Sequence, residues 1–380
     1  METRSQVRGR KFLQSVRRIV VKIGSAVLTD RNGLDDRVIA DLCAQIASLR
    51  REDREVTIVS SGAVAAGMGK LLELRSPKTV PEKQALAAVG QGRLIQAYED
   101  AFRNHDIQVA QILLTREGLV SRYRYLNAKN TLKTLLQWGI IPIVNENDTV
   151  ATEELQFTDN DALAVLIVNL VEAEVLVCLS DVNGLYDRDP REDANAKRIP
   201  EVSKVDKSIT DLASDYLGRA GRGGMKSKLE AARMVTACGV PMVVAKGRAD
   251  RVLPRLFSGE DLGTLFCPNR RRIHGRKPWI VLALDRKGIL EIDEGAVKAM
   301  VDNGKSLLPV GIRGVQHDFE AGACVVCRDG SGKDVAVGLS NYNSGDIRKI
   351  CGCQTGEIYD RIGHQGTGEV IHRDNMVILL

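Results

Sequence analysis

The first apolar run of the chain, Ile19-Val-Val-Lys-Ile23, is β-branched at every apolar position and interrupted only by a lysine. That pattern predicts a strand buried on both faces, the kind found in parallel sheets. The period then changes: over residues 35–51 the apolar side chains Val38, Ile39, Leu42, Ile46 and Leu49 recur at helical spacing, and Val56-Thr-Ile-Val-Ser60 returns to a strand. The alternation continues with helices over 81–102, 122–138, 162–170 and 229–238, and with strands at 109–114, 140–144, 175–179 and, last, 240–245. Strands alternating with helices over 19–267 predict one α/β domain, a three-layer αβα sandwich with a mainly parallel sheet.

From Pro268 the pattern shifts. Residues 270–277 (Arg-Arg-Arg-Ile-His-Gly-Arg-Lys) read as a basic hinge, and short alternating strands follow at 279–283, 288–292, 323–327, 335–338 and 369–371, divided by glycines. The expected organisation is a basic lead-in at 1–18, the α/β domain at 19–267, a linker at 268–276, a small β-rich domain at 277–372 and a tail at 373–380.

Composition narrows the class. With 44% hydrophobic and 27% charged residues the 380-residue chain is an ordinary globular protein of two or three domains. Its net charge of +5 is small, with much of it at Arg8, Arg10, Lys11, Arg17 and Arg18 and in 270–277, so nucleic-acid binding over the whole surface is not implied and a local patch stays open. No apolar run approaches the ~20 residues of a membrane span, and the N-terminus lacks the apolar core of a secretory signal. A cytoplasmic protein is expected, with residues 1–18 an unstructured or helical lead-in rather than a transit peptide. The eight cysteines read as reduced core residues. Cys324-x-x-Cys327 and Cys351-x-Cys353 match a four-thiolate zinc site in count, but the first pair lies in a strand-like run that puts its thiols on opposite faces, so no metal site is assigned.

Candidate chemistry gathers at strand exits. Lys22 lies beside Gly24-Ser25, where backbone N–H groups and an ammonium suit a phosphate at the carboxyl edge of an open sheet; the competing reading is a strand-end lysine reaching water. The spacing is not that of a Walker A loop. Ser60-Ser-Gly-Ala-Val-Ala-Ala-Gly67 repeats the pattern at the next strand. Asn145-Glu-Asn-Asp148 and Asp159-Asn-Asp161, on either side of a polar, hairpin-like excursion at 152–158, hold too many Asn and Asp for capping alone and suit recognition of a small zwitterion. Ser180-Asp181-Val-Asn-Gly-Leu-Tyr186 offers a polar turn with an aromatic ring. Gly218-Arg-Ala-Gly-Arg-Gly-Gly-Met-Lys-Ser-Lys228 reads as an anion cradle before a helix, or as a flexible linker.

These pieces, Val21-Lys-Ile-Gly-Ser25, Ser60–Gly67, Asn145–Asp148, Thr158-Asp-Asn-Asp161, Ser180–Tyr186 and Gly223–Lys228, resemble in that order the amino acid kinase superfamily, most closely its glutamate 5-kinase family, over residues 19 to about 267. Ile292-Asp-Glu-Gly-Ala296, Lys305-Ser-Leu-Leu-Pro-Val-Gly-Ile312 and Gly338-Leu-Ser-Asn-Tyr-Asn-Ser344 resemble a PUA domain. The resemblance implies ATP-dependent phosphorylation of the L-glutamate side-chain carboxylate on the route to proline, Mg²⁺ on the nucleotide, inhibition by proline at the glutamate site, and a homo-oligomer, tetramer or dimer. Carried over by residue, it implies Lys22 and Lys228 as cations over the transferring phosphoryl group, oriented by Asp161. It implies Ser61, Asp148 and Asn160 as glutamate-binding groups, Asp148 facing the α-ammonium. Gly24 and Gly62 offer N–H groups to the phosphates, and Ser180, Asp181, Arg222, Gly223, Gly224, Met225, Lys226, Ser227 and Lys228 bind ATP. A carboxylate nucleophile, with a reference pKa of about 4.3, needs no general base, consistent with the lack of a conspicuous histidine.

Three departures stand out. Gln156 and Thr158 replace the lysine and glycine of many members, removing a positive charge near the amino-acid site and leaving proline sensitivity in doubt. Ser180 stands for a common threonine, and Arg222 and Lys226 for small polar residues. Pairing Asn-Glu-Asn-Asp with Asp-Asn-Asp argues against acetylglutamate kinase, aspartokinase and uridylate kinase. An RNA-binding or RNA-modifying protein using the PUA domain stays open, although it leaves the anion-binding turns of the first domain unexplained.

Overall fold

The computed structural model describes residues 9–30, 33–70, 77, 79–150, 160–190, 192–193, 195–214, 224–268, 286–363 and 367–379. The chain divides into two compact units, Met1–Arg272 and Ile273–Leu380.

Among the described residues the main sheet of the first unit has eight strands: β1 (Arg18–Ile23), β2 (Glu55–Ser60), β3 (Val109–Leu114), β4 (Ile141–Glu146), β5 (Val175–Ser180), β6 (Glu201–Val202), β7 (Met242–Lys246) and β8 (Thr264–Phe266). Their order across the sheet is β3-β4-β2-β1-β5-β7-β8-β6. All pairs are parallel except β7 with β8. The sequence pattern ends the array at 240–245, whereas β8 and β6 extend it: at three and two residues they are too short to show a period. Strands β2 to β4 lie on one side of β1 and β5 to β8 on the other, so the crevice for a ligand in such a sheet opens at the carboxyl ends of β1 and its neighbours β2 and β5.

Alternation along β1 decides what faces that crevice. Ile19, Val21 and Ile23 pack into a core with Ile39, Leu42 and Ile46 of one helix and with Tyr98 and Phe102 of another. Lys22 therefore faces the opposite layer. The helices that matter for the site are α1 (Ser25–Leu28), α2 (Asp36–Arg51), α3 (Ala63–Lys70), α4 (Val80–Arg103), α5 (Asn160–Leu170) and α6 (Met225–Ala237). α4 starts at a full capping box, Thr79 with Glu82, and α5 is buried from Leu163 to Leu170. α3 and α4 approach through glycines: a Cβ on Gly90 would sit 1.7 Å from the Ala63 carbonyl oxygen, and one on Gly67 2.1 Å from that of Leu86.

Part of the basic lead-in is structural. The turn Arg10–Ser15 is helical, and the Arg10 guanidinium donates to the carbonyls of Leu262, Pro200 and Gly263 and pairs with Asp261. Arg54 donates to the carbonyls of Leu13, Val16 and Gln14 while lying over the Phe257 ring.

The second unit carries a sheet of β9 (Arg286–Ile292), β10 (Ile312–Gln316), β11 (Cys324–Arg328), β12 (Asp334–Leu339) and β13 (Met376–Ile378), ordered β10-β9-β11-β12-β13. Around it lie the helices Glu294–Val301 and Ser344–Ile350. The strand expected at 369–371 forms only an isolated bridge, Ile371 to Leu307. β10 and β13, the latter past residue 372, were not marked by the alternation pattern. Residues 270–277 and 279–283 lie outside the described residues. Cys324, Cys327 and Cys353 are buried thiols, and burial pushes that of Cys327 up to about 12.

Candidate active site

At the carboxyl end of β1 the buried Lys22 ammonium meets a carboxylate: its Nζ lies 2.5 Å from Asp161 Oδ1, in the first turn of α5. Lys228 Nζ lies 3.4 Å from the other carboxylate oxygen, and Ser227 Oγ donates to that same oxygen at 2.9 Å. The three charged side chains are 5%, 0% and 8% exposed in the order Lys22, Asp161, Lys228. Burial alone would push the Asp161 carboxyl up, but the charges of Lys22 and Lys228 and the hydrogen bonds from Lys22 and Ser227 outweigh it and hold the group below the usual carboxylate range. Two buried ammonium groups thus share one carboxylate, a setting in which an arriving anion finds positive charge already held in place.

Lys228 reaches this place from a helix rather than from a loop. α6 starts at Met225 with Gly224 as its N-cap, four residues before the start expected at 229, because glycines upstream hide the helical period. Met225 and Lys228 turn inward and Lys226 outward, which is the helical i, i+3 relation. Arg222 and Gly223 lie outside the described residues.

The neighbouring residue, Asn160, builds a second cluster. Its Nδ2 lies 2.8 Å from the Ser60 carbonyl oxygen, 2.9 Å from Ser61 Oγ and 2.9 Å from Asn145 Oδ1, tying the exits of β2 and β4 to the start of α5. Gly62 follows Ser61 at φ 103°, a turn that favours glycine. Asp148 is half-buried beyond the β4 exit, and burial raises its carboxyl pKa. Ser61, Asn160 and Asn145 are thus brought together at one strand edge, with Asp148 three residues past Asn145.

One assignment changes. Gly24 N–H donates to the Leu179 carbonyl at 3.0 Å, continuing the β1–β5 ladder, so it has no proton left for a phosphate. Backbone donors at this turn fall instead to the opening of α1, where the first N–H groups have no intrahelical acceptor. Ser180 is buried at the β5 exit and donates to Asp181 Oδ1 at 2.9 Å, while Asp181 itself is exposed.

Sequence reading missed several supporting residues. Arg248 grips the end of α1 through the carbonyls of Val27 and Thr29 and through Asp35. Tyr98 Oη lies 3.0 Å from Ser60 Oγ, and Cys178 Sγ lies 4.0 Å from Asp161 Oδ1. Their partners are up to 221 residues away in the chain, so no local pattern marks them.

Residues 17–246 match the amino acid kinase family and residues 288–361 the PUA domain. The chain is 47% identical to the glutamate 5-kinase of Syntrophus aciditrophicus, with all of this chain and 97% of that one aligned. It is 48% identical to the glutamate 5-kinase of Desulfotalea psychrophila (97% and 99% covered) and 47% identical to that of Caldanaerobacter subterraneus (95% and 98%).

Proposed function

The chain belongs to the amino acid kinase family, among its glutamate 5-kinases, and from that membership we propose how its own residues divide the reaction. The enzyme transfers the γ-phosphoryl group of ATP to the side-chain carboxylate of L-glutamate, the first step of proline biosynthesis. The carboxylate oxygen attacks phosphorus, the bond to the β,γ-bridging oxygen breaks, and ADP and an acyl phosphate form. Carboxylate and phosphate are both anionic, so the protein's task is to hold them in line and to supply positive charge.

Lys22 and Lys228 supply that charge from the two oxygens of Asp161, which orients both ammonium groups. The first turn of α5 carries the reading: Asn160 organises the amino-acid half and Asp161, one residue on, the phosphoryl half, so acceptor and donor are held by one rigid helix end. Ser61 and Asn160 bind glutamate, with Asp148 toward its α-ammonium. ATP lies along α1, the β5 exit at Ser180 and Asp181, and the start of α6. Mg²⁺ carried on the nucleotide would neutralise phosphate charge.

Self-association into a homo-oligomer is supported by Leu113 on edge strand β3 and by Tyr123 and Trp138, 75% and 71% exposed, on and just after the helix Arg122–Gln137 that leads into β4. Proline inhibition acts at the amino-acid half; Gln156 and Thr158 lie outside the described residues.

An acceptor panel tests the reading. With hydroxylamine to trap acyl phosphates, ATP-dependent hydroxamate should form with L-glutamate and at least ~10²-fold more slowly with L-aspartate or N-acetylglutamate, a site of fixed polar partners being selective at that level. Equal rates with either analogue contradict it.

A further inference from the structure

We propose that Tyr98 and Gln91 of α4 are positioning residues for the amino-acid half of the site, holding the β2 and β4 exits at the spacing that Ser61 and Asp148 require. This rests on the assignment of L-glutamate to those exits.

Tyr98 is fully buried among apolar neighbours, where a phenylalanine would fill the same space. Its hydroxyl is therefore not explained by packing. Ser60 Oγ lies 3.0 Å from Tyr98 Oη and 3.3 Å from the Ser61 carbonyl oxygen, so a Ser60 hydroxyl that donates to that carbonyl accepts from Tyr98. Seven residues earlier, two turns along and on the same face, Gln91 Nε2 donates to the Glu146 carbonyl at 3.4 Å. Gln111 donates to Gln91 Oε1 at 3.2 Å, which fixes the orientation of the Gln91 amide. One helix thus touches the last residue of β2 and the last residue of β4, each just before a substrate-binding segment. The helix is itself fixed: Gly90 abuts Ala63, the residue that opens α3 directly after Ser61-Gly62. Neither side chain needs to touch substrate; both act through the backbone of the strand ends.

The test uses the full-length enzyme. L-glutamate affinity is measured by calorimetry, and KM for both substrates by the hydroxamate assay. Tyr98→Phe should weaken L-glutamate about fivefold to tenfold, the effect of one buried hydrogen bond, with KM for ATP changed less than twofold. In a Ser60→Ala background the same substitution should add nothing further, because the two hydroxyls act as one unit. Unchanged glutamate affinity, an equal rise in both KM values, or additive losses in the double variant would overturn the proposal. Should Tyr98→Phe fail to fold, Gln91→Met decides alone: a loss confined to glutamate supports the proposal and unchanged affinity overturns it. Ser61→Ala separates the two levels. If it weakens glutamate while Tyr98→Phe does not, only this inference falls; if Ser61→Ala has no effect, the assignment of glutamate to these exits falls with it.

Discussion

Asp161 has no access to water, yet it stays ionised because two ammonium groups surround it. Its folded pKa lies below the unfolded value of about 3.9, so its contribution to stability is complete above that pH and is lost as pH falls through the lower folded value. Asp161→Asn removes the carboxylate that Lys22 and Lys228 share. We expect it to cost roughly 3–5 kcal/mol at neutral pH, the cost of breaking a buried pair, and to flatten the loss of stability below about pH 4. Urea denaturation of both proteins between pH 3 and 7 checks this, and parallel pH curves would contradict it. At this scale Lys22 and Asp161 stood out at a strand exit and a helix start that show in the sequence, while Lys228 stood out only as the end of a glycine-rich stretch; the fold brings the three together. Gly24 was not legible: whether its N–H is free depends on how β5 aligns with β1, and that register appears only in the folded sheet.

Elements were legible wherever the period runs long enough. α2 and α4 appear within about two residues of their expected bounds because their apolar stripes span four or more turns. β6 and β8 are too short for that, and the start of α6 is hidden by glycines. The contact between α3 and α4 was equally hidden, since nothing local distinguishes Gly90 from Gly92, which faces open space. At an exposed helix position Gly→Ala stabilises by about 1 kcal/mol. At Gly90 the sign should reverse: the added methyl must push Ala63 away, at about 1–3 kcal/mol for overpacking, lowering Tm by roughly 3–10 °C. Calorimetry of Gly90→Ala beside Gly92→Ala makes the comparison internal, and equal shifts in the two would show that the helices have slack.

For the whole molecule, the division into an α/β unit and a smaller sheet-based unit was legible from the change of pattern after Pro268, and each unit has a separate buried cluster. The strand order was not, because parallel crossovers let strands that follow one another in sequence sit apart in the sheet, as β3 and β2 do on either side of β4. That order brings residues 22, 161 and 228 into one charged cluster and sets it beside Ser61, Asn145 and Asn160. The most direct measurement of this account is the glutamate-dependent hydroxamate rate of Lys228→Ala, taken with its circular dichroism and its L-glutamate affinity. A cation that acts on the transferring phosphoryl group predicts a rate at least ~10² lower, with folding intact and glutamate bound as in the unmodified enzyme. A rate within a few-fold of the unmodified enzyme would contradict it.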